Sequence, residues 1–298
     1  MNNKTVLISG SSGLIGSALV PFLEKKGFIV GRLLRKPQAQ HPYWDINNKS
    51  LQLKAFANPD VVINLAGESI ASGRWTRRKK QQLIDSRISS TKLLVDHFQT
   101  VSPPPKLFIN ASAIGFYGDK GQQQVTENAP VGKDFVSQLA CQWEQVAEGI
   151  KSTDTRLVNL RTGIVMSKEG GALAKMLPAF KLGLGGRIGS GQQIMSWIDI
   201  NDLLEAIFFI IETPQIQGPV NLVSPNPISN RQFSQLLATQ LKRPCLLPLP
   251  AFLVKLLFAQ MGKELLLSST NVFPRKLIDA QFKFEYEKLQ QSLAKQLS

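Results

Sequence analysis

One stretch limits the folds open to this chain more than any other: Gly10-Ser11-Ser12-Gly13-Leu14-Ile15-Gly16. It follows Thr5-Val6-Leu7-Ile8-Ser9, an apolar run that reads as a buried strand. It leads into Leu14, Ile15, Ala18, Leu19, Phe22 and Leu23, spaced as one face of a helix that Gly27 is placed to stop. Three glycines at a strand-to-helix turn suit a dinucleotide. Gly10 permits the tight turn, Gly13 lets backbone N–H groups approach a pyrophosphate, and Gly16 lets helix pack closely on strand. The candidate cofactor-facing residues here are Gly10, Ser12, Gly13, Leu14, Ile15 and Gly16. The spacing is G-x-x-G-x-x-G rather than G-x-G-x-x-G, so a glycine turn without a ligand is the competing reading. A Gly-Lys-Ser/Thr phosphate loop does not compete, because Gly132-Lys133 and Gly262-Lys263 are followed by Asp134 and Glu264.

The second strand, Phe28 to Arg35, bears on which cofactor is expected. An NAD site places an acid about 20 residues past the first glycines. This chain has Leu34 there, then Arg35, Lys36 and Pro37. No carboxylate can bond a ribose 2′-hydroxyl, whereas two cations can meet a 2′-phosphate, so NADP is expected in preference to NAD. A solvated strand end is the plain alternative for Arg35 and Lys36.

Strand–helix alternation continues. Asp60 to Glu68 reads as a strand whose end, Leu65, Ala66 and Gly67, lets a cofactor lie close, with Glu68 opening a substrate loop that runs to Trp75. Residues 81–98 read as a helix, ended by Pro103-Pro104-Pro105. Lys106 to Ser112 is a strand that delivers Ser112 to a loop containing Tyr117. Leu139, Trp143, Val146 and Ile150 mark another helix, and Arg156 to Val165 another strand. The expected class is α/β, a Rossmann-type doubly wound parallel sheet over residues 1–224. Residues 166–192, dense in glycine, are expected to be an irregular insertion contributing to a substrate pocket, and residues 225–298 a smaller C-terminal substrate or lid lobe.

Composition narrows the partners. Cys141 and Cys245 lack metal-ligand spacing and His41 and His97 are the only histidines, so no metal site is expected. A reduced, cytoplasmic compartment is the default. The chain enters its first strand almost at once, and no apolar run approaches the roughly 18 residues of a membrane span, so neither a secretory leader nor a membrane partner is expected. The net charge is +14, yet the dense cluster Arg77-Arg78-Lys79-Lys80 has no interleaved aromatics, and nucleic acid is not an expected partner.

The whole pattern resembles the short-chain dehydrogenase/reductase superfamily in its extended, epimerase-like form. More closely, it resembles the epimerase-family group labelled cell-division-inhibitor-like, NAD-dependent epimerase/dehydratase-like with that group's C-terminal domain. The residues carrying this are Gly10 to Gly16, Asn64 to Glu68, Arg74-Trp75-Thr76, Ser86-Arg87, Ser112 to Gly118, Trp143-Glu144, Arg161-Thr162-Gly163, the glycines of 183–191 and Asn221 to Pro227. Pro274, Lys276-Leu277 and Phe282 resemble the C-terminal domain. The resemblance implies a nicotinamide cofactor, adds Arg87 to the cofactor-binding candidates and gives Ser112 the position of the superfamily serine. It also exposes a departure. Superfamily enzymes use Tyr-x-x-x-Lys, the lysine tuning the tyrosine as acid or base. Four residues after Tyr43, Tyr117 and Tyr286 stand Asn47, Gly121 and Gln290. Where the helix should carry the pair, this chain has Phe135-Val136-Ser137-Gln138-Leu139-Ala140.

Two functions compete. One is an NADP-dependent oxidoreductase or epimerase on a small molecule, with Ser112 holding a substrate oxygen and Tyr117, Glu68 or Lys133 moving protons. The other is a cofactor-sensing or partner-regulating protein without turnover, which the missing pair favours. Oligomeric state is open, a homodimer being one option.

Overall fold

The computed structural model describes residues 4–38 and 40–298. Short apolar segments form six parallel strands: β1 (Thr5–Ser9), β2 (Ile29–Leu33), β3 (Val61–Asn64), β4 (Leu107–Ala113), β5 (Arg156–Thr162) and β6 (Gly218–Leu222). Their order is β6-β5-β4-β3-β1-β2. The chain leaves β1 outward to β2, then crosses back to build the other half from β3. The reversal between β1 and β3 opens a crevice at the strands' C-terminal ends.

Alternation along the strands feeds two apolar layers. Val6, Ile8, Ile63 and Ile109 pack beneath α1 (Leu14–Lys25) and α5 (Ile200–Glu212), through Leu19, Leu23, Leu203 and Ile207. Leu7, Val62 and Phe108 face the other way, against Leu94, Val95 and Phe98 of α2 (Arg77–Phe98) and Ala147 of α3 (Phe135–Glu148). The sheet is doubly wound as expected.

Residues 166–192 are more regular than their glycines imply. Helix α4 (Gly171–Lys181) runs through them, its Leu173, Leu177 and Phe180 buried one above the other. That i, i+4, i+7 stripe was readable, but the flanking Gly170-Gly171 and the internal Pro178 obscured it. The stripe packs with Trp197, with Phe233 and Leu237 of α6 (Asn230–Gln240), and with Leu289 and Leu293 of a C-terminal helix (Leu289–Leu297) into a second apolar core. The strand expected through Val165 breaks at Gly163, where a Cβ would lie 2.7 Å from the Ser196 carbonyl oxygen. Beyond it, Ile164–Met166 pairs with Trp197–Asp199. The C-terminal stretch contributes α7 (Ala251–Met261), and its Leu277, Phe282 and Phe284 return to the main core.

Candidate functional site

The glycine loop is held from below. Gly10 has φ +70°, and a Cβ there would lie 2.6 Å from the Leu65 carbonyl carbon. A Cβ on Gly16 would lie 2.3 Å from the Gly10 oxygen. Gly13 is different: a Cβ would meet only the Gly10 oxygen, at 3.4 Å, and Ser12 and Gly13 are exposed. So Gly10 and Gly16 are required by the protein's own backbone, while the space above Gly13 is open at the N-terminus of α1. That is the shape a pyrophosphate needs. Leu14 and Ile15 begin α1, and Leu14 also packs on Gly170 and Gly171. A cavity of about 810 Å³ borders Ser12, Gly13 and Leu14, with Lys168 and Asn201 across it.

Leu65, Ala66 and Gly67 follow β3 directly, the Leu65 amide donating to the Ser9 carbonyl. Arg35 and Lys36 are exposed just past β2, and Arg35 lies close enough to help hold the Glu68 carboxyl down. Arg32, not among the residues picked out in the sequence, also reaches the glycine loop. Its Nε lies 3.5 Å from Ser11 Oγ, bringing another cation to the glycine loop from within β2. Strand alternation carried the signal, since Arg32 interrupts an otherwise apolar run. Arg87 is committed to backbone. It donates to the Glu68 and Leu83 carbonyls, its guanidinium lies against Gly67 and over the Trp143 ring, and burial lowers its pKa to about 10.

The three candidate proton-handling groups do not converge on one point. Glu68 is ion-paired with Lys79 at 2.6 Å, and that hydrogen bond, with smaller pulls from Ser72 and Arg35, holds its carboxyl below the usual range. Tyr117 is fully buried. Its hydroxyl donates to Asn221 Oδ1 at 2.6 Å and accepts from Arg161 at 3.0 Å. Burial pushes its pKa up to about 12, outweighing the guanidinium. Lys133, the cation considered for this role, is exposed; the cation that reaches Tyr117 is Arg161. Ser112 Oγ donates to Glu144 Oε1 at 2.6 Å, and Glu144 in turn holds Arg161 through two bonds of 2.8 Å. Ser112 and Tyr117 are therefore joined through Glu144 and Arg161, while Glu68 stands apart on the neighbouring loop.

Two polar rows cross the sheet under this network. Ser9, Asn64, Asn110 and Asn159 share one register. Ser9 donates to Asn64, Asn64 to Asn110 and Thr91, and Asn110 to Asn159. Two residues nearer the crevice, Ser112, Arg161 and Asn221 form the second row. On α3, Val136, which packs against Gly115, and Ala140 are both buried. The first two turns of α3 therefore offer apolar side chains where the resemblance expects an acid–base pair. Among the described residues no cluster of histidine, cysteine and carboxylate side chains could hold a metal, and no helix is long and apolar enough to cross a membrane.

Comparison with known proteins fits this architecture. The model of the NAD dependent epimerase/dehydratase family matches residues 6–222, and a domain of unknown function, DUF1731, matches residues 249–296. The chain is 38% identical over 295 residues to the epimerase family protein Mb2239 of Mycobacterium bovis, covering 98% of this chain and 97% of that one. Among solved structures it is similar to the human epimerase family protein SDR39U1 with NADPH (TM-score 0.90, 31% identity, 98% of both chains). It is also similar to a nucleoside-diphosphate sugar epimerase from Corynebacterium glutamicum (TM-score 0.83, 31% identity, 99% of this chain and 58% of that one). With its glycine loop, its sheet and nearly its whole length accounted for, the chain belongs to the NAD dependent epimerase/dehydratase family, within the short-chain dehydrogenase/reductase fold.

Proposed function

We propose that this protein is a cytoplasmic NADP(H)-dependent oxidoreductase or epimerase of a small molecule, working without the superfamily tyrosine–lysine pair. The observation that carries this is the open space over Gly13, set between backbone-locked Gly10 and Gly16 and flanked by Arg32 and Arg35 with no carboxylate on β2. The human relative solved with NADPH supports the same cofactor. Residues 1–224 hold the cofactor, and residues 225–298, with the 166–192 stretch, enclose the substrate.

Bound nicotinamide supplies or accepts a hydride; the protein's groups position and polarise the substrate. The α1 N-terminus and the amides around Gly13 hold pyrophosphate, and Arg35, with Lys36 behind it, meets the 2′-phosphate. Leu65, Ala66 and Gly67 form the floor, kept in place by Arg87. Ser112 meets the reacting oxygen. Its own proton is directed at Glu144, so its oxygen offers lone pairs and favours a substrate hydroxyl over a carbonyl. Tyr117 acts as a positioning residue, holding Arg161 and through it Glu144. Glu68, kept ionised by Lys79, orders the loop rather than donating a proton.

Titration calorimetry tests the cofactor assignment. NADPH is expected to bind at least about tenfold more tightly than NADH, the worth of one charge-assisted contact. Arg35→Asp should remove that margin and leave NADH binding unchanged or better. Equal affinities in the unaltered protein would overturn it. Single-turnover oxidation of bound NADPH against carbonyl compounds and nucleotide sugars tests the chemistry. No oxidation above the buffer blank would leave a cofactor-binding protein without turnover.

A further inference from the structure

The second lobe carries an apolar surface that nothing among the described residues covers. Leu182 and Leu184 follow α4; Leu246 and Leu247 lie in the segment before α7; Phe252, Leu256 and Leu257 lie on α7 itself. Leu182, Leu246 and Leu256 are 74%, 76% and 68% exposed. These segments are bound to one another. A Cβ on Gly183 would lie 3.4 Å from Pro244, Gly186 sits against the Leu247 carbonyl, and the Leu249 amide donates to Arg187. Along α7 only Val254 and Met261 are buried, so an eleven-residue helix rich in leucine has little of its surface inside the protein. Among the described residues, large apolar side chains this exposed occur elsewhere only singly, at Ile29 and Ile278. A patch of this kind marks a contact surface.

Its electrostatics select the occupant. Between Glu169 and Asp199, and again between Glu212 and Glu264, the chain contains no aspartate or glutamate. The same stretches present Lys181, Lys242, Arg243, Lys255 and Lys263, all exposed. A second copy would bring two such cationic rims together on molecules already carrying +14 each. A protein partner is the weaker fit, because protein interfaces are depleted of lysine and their dominant contacts are seldom leucine. Exposed leucines and a phenylalanine rimmed by Lys181, Lys242, Arg243, Lys255 and Lys263 match a surface that is apolar within and anionic at its rim, as a bilayer of acidic lipids is. We infer that the face formed by 182–184, 246–247 and α7 docks on an anionic lipid surface, inserting its leucines and Phe252 among the acyl chains while the cations meet headgroup phosphates. Such docking lies flat on the bilayer and needs no spanning helix. Arg74, near the end of the Glu68 loop, donates to the Leu256 and Leu257 carbonyls, so the docking face adjoins the crevice side of the sheet.

Vesicle co-sedimentation of the full chain tests this, with equimolar phosphatidylglycerol and phosphatidylcholine against phosphatidylcholine alone. The protein is expected to pellet with the anionic vesicles only, and less as salt rises. Phe252→Ser with Leu256→Ser, and separately Lys242→Glu with Arg243→Glu, should each weaken partitioning about tenfold or more. Thermal melts should stay unchanged, since all four side chains are exposed. No pelleting with anionic vesicles at low salt would overturn the inference, as would pelleting that neither double variant alters. A dimer in sedimentation velocity that Phe252→Ser with Leu256→Ser dissolves would assign the face to a second copy instead. Cofactor binding enters none of these readings.

Discussion

Gly10, Gly13 and Gly16 look alike in sequence and do different work. A side chain at Gly10 must adopt φ +70° and meet the Leu65 backbone, and one at Gly16 must displace the Gly10 carbonyl. Gly10→Ala and Gly16→Ala should each lose about 2 kcal/mol or more of stability in urea denaturation. At Gly13 the backbone is ordinary, with φ −78°, and the space is free. Gly13→Val should melt close to the unaltered protein yet bind NADPH at least about a hundredfold more weakly, because the isopropyl group takes the pyrophosphate's place. Normal binding by the folded Gly13→Val variant would reduce the loop to a turn. The loop was legible because its glycines are local in sequence and each has a local consequence. In the sequence, Glu144 and Arg161 carry only the resemblance and no role. Their roles depend on contacts with Ser112 and Tyr117, which lie tens of residues away in sequence and give no periodic signal.

At the scale of elements, helix α3 is joined to the sheet by a buried charged pair, Glu144 with Arg161, a turn beyond Val136 and Ala140, which stand where the superfamily pair would be. Arg161 is 4% exposed and Glu144 8%, and each of the two carboxylate oxygens is bound to the guanidinium. Removing one charge of a buried pair strands the other, a loss of about 3–5 kcal/mol. Glu144→Gln should approach that loss. Tyr117→Phe should lose less, about 1–3 kcal/mol, since Arg161 keeps Glu144 and the Glu127 carbonyl while Asn221 loses one donor. Urea midpoints check both, and NADPH affinity should stay unchanged in Tyr117→Phe. If that variant is as stable as the unaltered protein, Tyr117 is not the positioning residue assigned here. The sheet strands and α1 to α3 were readable from apolar periodicity. Helix α4 was hidden by its glycines and proline, and the Ser9–Asn64–Asn110–Asn159 row could not be seen, because register between distant strands is set by the fold and not by neighbours in the chain.

For the molecule as a whole, the last segment is tied to the first domain by two buried carboxylates at the start of α5. Asp199 accepts from Ser292 and Gln296, and Asp202 accepts the Glu285 and Tyr286 amides at 2.8 and 3.0 Å. Asp202 is 2% exposed, and burial, with Asp199 and Glu285 nearby, outweighs those amides and pushes its pKa up to about 6 from 3.8. The raised value means the folded protein holds this proton more tightly than the unfolded chain does. The stability it contributes is therefore complete below the unfolded value and is lost as pH rises through about 6. Between pH 7 and pH 5 the site should gain about 1 kcal/mol. Other groups also titrate, and added positive charge opposes folding in a chain already at +14, so the observable is a difference. Asp202→Asn mimics the protonated carboxyl at every pH. Measured by urea denaturation at both values, the unaltered protein should become more stable relative to Asp202→Asn by about 1 kcal/mol on going from pH 7 to pH 5. The variant should lie closest to the unaltered protein at the acid end only if the amide bonds reorganise around a single acceptor oxygen. A difference that stays constant across this range would mean that Asp202 keeps the pKa of an exposed carboxylate, and that the C-terminal segment leaves the site open to water.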